Sequence, residues 1–425
     1  MALDTAKEVR VMFDMVAEQY EEQTQMANLV GHYTMTGANA QNSNNLEWRQ
    51  VEQQAPEQEG WEFTDSDFGN VIELSYPTTL GTPKNSLFQL RADDFRDRRF
   101  MERRAMAGAS RLSSGQNKRI AELVKNTGSI FYRTSTAGYD FIKTASTIMS
   151  ERQLAMDAGT SFFVSDRVAQ RISSDLAGRT AMGKLPEETY KKGMIAAQTA
   201  GFDVYESSYL PTITGGATPA VATVNATVSQ KPVANRTEAG GLVLPVDYRI
   251  SDAIAFTGAN AGDFVVGDRI KFTGVNAVGL ADKTDTGQEM TFVIVGKSGS
   301  SYQLYPRPIA LDDAALSSAE AAYANIATQI TAGTVVVRLN TDASASANAF
   351  WVNDSIEIVD GDAPLEYLGQ KDGMQVLTTS LSSGTKLYMA YQGSINDLTL
   401  KCRLFTWYDV VNKDPSRNGI AVLAP

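Results

Sequence analysis

The sequence predicts an α+β fold interrupted by an inserted all-β domain. Three observations carry that expectation. A charged, amphipathic run over 92–127 reads as one long helix, and helical and extended patterns alternate over 139–211. From Pro211 onward, about 130 residues are almost wholly short runs rich in β-branched side chains.

In chain order, the first thirty residues place Val9, Met12, Phe13, Val16 and Tyr20 three and four apart, on one face of a helix. On the other face Asp4, Glu8, Asp14, Glu18, Glu21 and Glu22 outnumber Lys7 and Arg10. Two uses fit such a helix: packing on its own domain, or docking as an arm onto a neighbour or partner. From Thr36 to Gly60 the chain turns to Asn and Gln with little periodicity. Strand-like pieces follow around 61–63 and 71–76, before Pro77, Gly81 and Pro83 break the pattern. An excursion of this length exceeds an ordinary loop, and long excursions usually work or touch something.

The helix over 92–127 opens densely charged, with Asp94, Arg98 and Glu102 at spacings of four, and Gly128 stands at its C-cap position. Ala105, Ala109, Leu112, Ile120, Leu123 and Val124 form its apolar stripe. At 1.5 Å per residue it spans roughly 50 Å, the length of a strut. Next, YDFIKTASTIMSERQLAM reads as helix, SFFV as strand, Ser165 or Asp166 as the cap of a helix ending near Gly178, and GFDVYES as strand. That alternation makes a mixed α/β layer.

After PTITGGATPA come VATVNATV, YRISDAIAF, DRIKFTG, MTFVIVG, SYQLYP and TVVVRLN, parted by Gly, Asn and Asp turns, and only 308–326 departs from the pattern. DASASAN closes the region and FWVNDSIEIVD resumes. Both ends therefore look like junctions of a domain inserted into a host loop, built as a small β-barrel or sandwich. In the last strand-like run Leu398, Leu400, Cys402 and Leu404 alternate with Thr399, Lys401 and Arg403. Cys402 thus falls on a core face, where a thiol behaves as a small, unreactive hydrophobe.

Composition excludes several functions. The chain has 425 residues, 38 basic and 49 acidic side chains, a net charge of −11, one histidine and one cysteine. A single chain cannot then hold a disulfide or a four-ligand Cys/His zinc site. Ser-His-Asp or Cys-His chemistry would have to pass through His32, which reads as structural. The acidic excess argues against general nucleic-acid binding. The start, MALDTAKEVR, lacks the apolar run of a signal peptide, and no stretch approaches roughly 18 apolar residues, so the expectation is a reducing cytoplasm and no membrane. Glycosylation patterns at Asn225, Asn235 and Asn353 read as chance.

Gly296-Lys-Ser298 has the ending of a phosphate-binding loop, but Thr291 stands where its first glycine belongs and the strand-like FVIV leads in. Asp93-Asp94, set among arginines, reads as a salt-bridged helix start. Asp312-Asp313 has no companion ligands. No cofactor or metal is expected.

The chain also carries a family resemblance. VEQQAPEQEGWEFTD at 51–65, LFQLRADDFRD at 87–97, and AGTSFF, LPEETY and AGFDVY between 158 and 205 are similar to the major coat proteins of P-twenty-two-like short-tailed bacteriophages. So are RPIALDDAALSSAEAAYAN at 307–325, AFWVNDSIEIV at 349–359 and the closing WYDVVNKDPSRNGIAVL. The matches keep order and spacing over essentially the whole chain.

This resemblance implies the Hong Kong ninety-seven type capsid fold with a telokin-like insertion domain. Its parts would be an N-terminal arm at 1–30, a peripheral domain at 31–45, 87–129 and 395–425 with the spine helix, an extended loop at 46–86, an axial domain at 130–211 and 350–394, and the inserted β-barrel at 212–349. The implied function is that of a major capsid protein. It would assemble with a scaffolding protein into the hexamers and pentamers of an icosahedral procapsid, meet a portal protein at one vertex, mature, and enclose double-stranded DNA without sequence-specific binding. It would reside in the virion after assembly in the host bacterial cytoplasm.

Asp14 falls where the resemblance implies the scaffold contact, Trp61 and Glu62 where the extended loop meets a neighbouring subunit, and Arg91, Asp93, Asp94 and Arg98 at the start of the spine helix. The projecting loop of the insertion domain, ANRTEAGGLVLP, would reach a neighbouring capsomer. The family type carries several acids there against a basic residue; this sequence offers Glu238, with Lys297 as basic counterpart, and such an exposed pair is worth under about 1 kcal/mol. The rival readings are another virion part, such as a decoration or tail-tube protein, and a carboxylate-dependent hydrolase. The first leaves the strut helix and α/β layer unaccounted for.

Overall fold

The structure is a computed structural model that describes every residue except 1–4, 37–44, 52–60, 62–71, 92–93, 95–97, 155–158, 180–193, 216–219, 238–239, 343, 364–373, 395–398 and 425. The chain forms two compact units, one of Met1–Glu47, Thr78–Ala121 and Ile356–Val411, the other of Trp48–Pro77, Glu122–Ser355 and Asn412–Pro425.

In the first unit, helix α1 (Thr5–Gln23) buries the face its spacing predicts, Val9, Met12, Phe13, Val16 and Tyr20. They pack on Leu90, Leu112, Leu387, Met389, Cys402 and Leu404. The strand residues among these come from a four-stranded antiparallel sheet in the order Gln375–Ser380, Lys386–Ser394, Thr399–Thr406, Lys84–Arg91. Period-two alternation points one row of each strand at α1. Thr399, expected on the outer row, is buried as well, and Leu398 lies outside the described residues. A short parallel ladder sets Gly31–Thr34 beside Ile356–Asp360.

The long helix, α2 (Arg98–Thr127), has 30 residues, about 45 Å. Its start at Arg98 is six residues later than the expected 92, and KNSLFQLR before it pairs along the whole of Thr399–Thr406 as a strand ending at Arg91. Asp94 therefore precedes the helix, and its Oδ2 accepts from the Arg91 backbone N–H at 2.7 Å. The Arg98 side chain, on which the expected Asp94–Arg98 support rests, lies outside the described residues.

In the second unit a six-stranded sheet runs Ile130–Thr134, Asn418–Leu423, Asn348–Val352, Thr160–Val164, Phe202–Glu206, Met194–Thr199. Helices α3 (Tyr139–Glu151) and α4 (Asp166–Arg179) complete the predicted α/β layer. Phe141, Met149, Phe162, Ile172, Phe202 and Phe350 fill its core, each such side chain worth roughly 1.5–3 kcal/mol of burial. α3 stops at Glu151, short of the helical pattern's end at 156. The C-terminal strand belongs to this sheet, whereas 375–394 belongs to the first unit's sheet. Hydrogen-bonded pairing thus groups 350–425 differently from the expected split between 394 and 395, because alternation reveals a strand's faces and not its partners.

The insertion is a closed six-stranded barrel in the order Val221–Val224, Ile254–Thr257, Ser301–Tyr305, Asp285–Ser298, Arg269–Val278, Val335–Arg338, with every ladder antiparallel. Phe256, Phe264, Phe272, Phe292, Tyr302 and Leu304 fill it. Between the two alternatives that the strand pattern left open, the barrel is the one formed. Its neck is pinched where Ile213 pairs with Ala345 and Thr212 with Ser346. Gly215 is required there, since a Cβ would lie 1.8 Å from the Asn340 carbonyl oxygen. Within 308–326, Ser318–Ala321 forms a short helix closed by a Ser317–Glu320 capping box. Pro77, expected to break the pattern, instead sits inside strand Ser75–Thr79 of a two-stranded sheet, where a free edge tolerates the missing N–H.

Candidate assembly surfaces

On α1 the two expected uses occupy two faces. The apolar face is consumed inside the first unit, and polar bonds lock it. The Tyr20 hydroxyl donates to Gln116 Oε1 at 2.5 Å, and Gln116 Nε2 donates to Thr385 Oγ1 at 3.3 Å. Asn117 Oδ1 accepts from Met26 N–H and Asn117 Nδ2 donates to the Gln23 carbonyl. Burial pushes the Tyr20 phenol well above its usual range, so it remains a donor. The outer face exposes Val11, Asp14, Glu18 and Glu22. With the three acids four residues apart, they line up along one side of the helix.

In the inserted domain, outside the barrel's six strands, Asn235–Thr237 and Val243–Pro245 form a hairpin, with Arg236 opposite Leu244. Every residue of both strands is exposed, and at its return Leu242 is 60% and Val243 56% exposed. Glu238, in the same segment, lies outside the described residues. Lys297 is exposed on strand Asp285–Ser298, yet its Nζ donates to the Gly262 and Phe264 carbonyls at 2.8 Å each and stands 5.8 Å from the centre of the Tyr302 ring. Its ammonium is already engaged by its own barrel.

Of the remaining expected site residues, Trp61 is fully exposed, Arg91 ends its strand exposed, and Arg98 opens α2. Glu62 and Asp93 lie outside the described residues. Among the described residues of this set, Arg91 meets Asp94 through the backbone bond given above.

The residues weighed for chemistry have structural surroundings. His32 Nε2 stands 3.8 Å from Asp360 Oδ2, beyond hydrogen-bond range. Asp312 Oδ1 accepts from Gln329 N–H and Asp313 Oδ1 from Ala315 N–H, so both staple loops. Gly296, Lys297 and Ser298 lie within a strand, not in a loop entering a helix. Among the described residues no group of three or more His, Cys, Asp or Glu is placed to hold a metal, and no helix is long and apolar enough to cross a membrane. Cys402 is buried, and burial pushes its thiol up to about 12.

Sequence reasoning missed Arg269. Its guanidinium, wholly buried, leaves the barrel wall to donate from Nη1 to the Gly128 carbonyl and from Nη2 to the Lys125 carbonyl, with Val124 O at 3.4 Å. Beside it Thr291 Oγ1 donates to Ser129 O at 2.5 Å and accepts from Phe131 N–H at 3.3 Å. The signal available was a charged residue beside the apolar row of DRIKF; nothing local says that it turns inward.

Comparison with known proteins finds that a protein-family model described as "P22 coat protein - gene protein 5" matches residues 1–423. Among solved structures, the CUS-3 coat protein I-domain is similar at 26% identity, over 29% of this chain and 99% of that one, with a TM-score of 0.23. The structure titled Mycobacterium phage Che8 is 11% identical over 94% of this chain and 90% of its own, with a TM-score of 0.43. The asymmetric unit of the bacteriophage PhiM1 mature capsid is 9% identical over 94% of this chain and 86% of its own, with a TM-score of 0.42.

Proposed function

Because the chain belongs to the P22 coat protein family and is a major capsid protein of a phage, we propose that it assembles, guided by a scaffolding protein, into hexamers and pentamers of an icosahedral procapsid. The protein is structural, not an enzyme, its fold is of the Hong Kong ninety-seven type, and its place is the virion. In the proposal, assembly takes place in the host bacterial cytoplasm, one vertex receives a portal protein, and the shell then matures around double-stranded DNA. The net charge of −11 would keep that DNA from adhering to the shell.

The observation that supports a scaffold-facing arm is the division of α1 into a locked apolar face and an exposed row of Asp14, Glu18 and Glu22. A row of that kind suits a basic amphipathic helix through steering that weakens with salt, since screening sets in over about 8 Å at physiological ionic strength. In the same reading Trp61 and Glu62 touch a neighbouring subunit, Arg91, Asp93, Asp94 and Arg98 open the spine region, and the Asn235–Pro245 hairpin reaches an adjacent capsomer with Glu238 as its acid and Lys297 as the basic counterpart. Each contact is modest alone, as suits a shell whose many heterologous interfaces must anneal before locking.

Light scattering of the purified chain mixed with scaffolding protein tests this reading. Assembly should be scaffold-dependent and should slow markedly as salt rises from 50 to 500 mM, a range spanning roughly a threefold change in screening length. A rate indifferent to scaffold and salt would overturn it.

A further inference from the structure

A helix leaves its last four carbonyls without intrahelical donors, and a buried end needs a partner for them. α2 ends buried on one side, with Val124 and Gly128 buried and Asn126 exposed: Gly128 N–H closes on Val124 O at 2.9 Å, and a Cβ at Gly128 would lie 2.8 Å from Val124 O and 3.0 Å from the Gly419 Cα. On the buried side Asn418 and Gly419 crowd Gly128. The donor that reaches them comes from 141 residues further along the chain, the Arg269 guanidinium. A cation at a helix C-terminus also meets the negative end of the helix dipole.

The backbone of Arg269 is fixed by the segment that closes the barrel. Its N–H donates to Asn340 Oδ1 at 2.9 Å, its carbonyl accepts from Leu339 N–H at 2.7 Å, and the next residue, Ile270, pairs with Arg338 on the closing strand. The guanidinium can reach Val124, Lys125 and Gly128 only while that register holds. Desolvation lowers its pKa to about 9, which leaves it charged at neutral pH.

We propose that Arg269 is a latch by which the closed barrel holds the last turn of α2, so that the helix is complete only while the barrel is shut and seated. The end of the strut then depends on the inserted domain for its order, whereas the barrel strands hold together by their own ladders. Opening the barrel would free the helix end, and freeing the helix end would leave a desolvated cation in the barrel wall.

Hydrogen exchange read by mass spectrometry on the full-length chain tests the latch. In Arg269→Leu, amides over 124–129 should exchange roughly tenfold faster or more, the effect of removing charge-assisted hydrogen bonds, while amides of the barrel strands over 290–305 keep their protection. Unchanged exchange over 124–129 would overturn the proposal, and so would acceleration spread equally over both regions. Should Arg269→Leu fail to fold, Arg269→Lys retains the charge with a donor that cannot span separated carbonyls. Selective acceleration over 124–129 in that variant supports the latch, and wild-type exchange there contradicts it.

Discussion

Tyr20 donates its hydroxyl hydrogen to Oε1 of Gln116 across 2.5 Å, with both side chains wholly buried. This bond joins the N-terminal helix to the long helix within the first unit and holds the apolar stripe inward, leaving the acids outward. Under the proposed function, a contact made by that outer face would be electrostatic and graded by salt.

Tyr20→Phe keeps the ring and deletes the donor, leaving the Gln116 acceptor buried and unpaired. The cost should be about 1–3 kcal/mol in the denaturant midpoint. A loss below about 0.3 kcal/mol would show that this bond does not hold the arm.

Asp14→Ala removes an exposed charge from the outer face. Scaffold-dependent assembly should slow several-fold while the melting of the monomer stays within about 0.5 kcal/mol of the parent. Glu18→Ala and Glu22→Ala should act in the same direction. An unaltered assembly rate in all three would remove the acidic row from the account.

For the projecting hairpin, a charge-swap cycle between Glu238 and Lys297 on assembled shells should give a coupling under about 1 kcal/mol. Lys297→Ala should also destabilise the free chain by about 1 kcal/mol, because its Nζ bonds two carbonyls of its own barrel. Zero coupling would assign the contact to backbone and to Leu242 and Val243. Coupling well above 1 kcal/mol would mean that the lysine leaves those carbonyls on assembly.

Cys402 gives a pH prediction with a definite sign. The folded thiol, pushed up to about 12, stays neutral while the unfolded thiol ionises near pH 8.5. The unfolded state then binds fewer protons, so this residue's contribution to stability falls as pH rises above about 8.5, at up to about 1.4 kcal/mol per pH unit. At pH 8 a thiol reagent should leave the native chain unmodified and label one thiol per chain in denaturant. Rapid native labelling, or an identical pH 8–10 loss of stability in Cys402→Ala, would contradict this.

Much of the fold was legible. Each of the six barrel strands overlaps one of the β-branched runs, because a small closed barrel is built from short strands whose turns need Gly, Asn and Asp; Val221–Val224, Ser301–Tyr305 and Val335–Arg338 lie wholly inside a run, whereas Ile254–Thr257, Arg269–Val278 and Asp285–Ser298 extend past theirs. The arm's buried face followed from spacing alone. Lys84–Arg91 was hidden because KNSLFQLR has apolar side chains at only three of its eight positions and abuts the charged run of the helix. The site was less legible than the fold. Asp14 could be placed on an outer face, but the inward turn of Arg269 depends on a helix end 141 residues away in sequence. Glu62 and Glu238 were chosen by resemblance and Asp93 from its charged surroundings, and all three lie outside the described residues.

Under the proposed function this chain builds closed shells with its scaffold, and electron microscopy of the protein purified after co-expression with a scaffolding protein is the decisive measurement. Closed, uniform particles are expected with scaffold, and aberrant shells or tubes without it. Persistent monomers under both conditions would contradict the proposal.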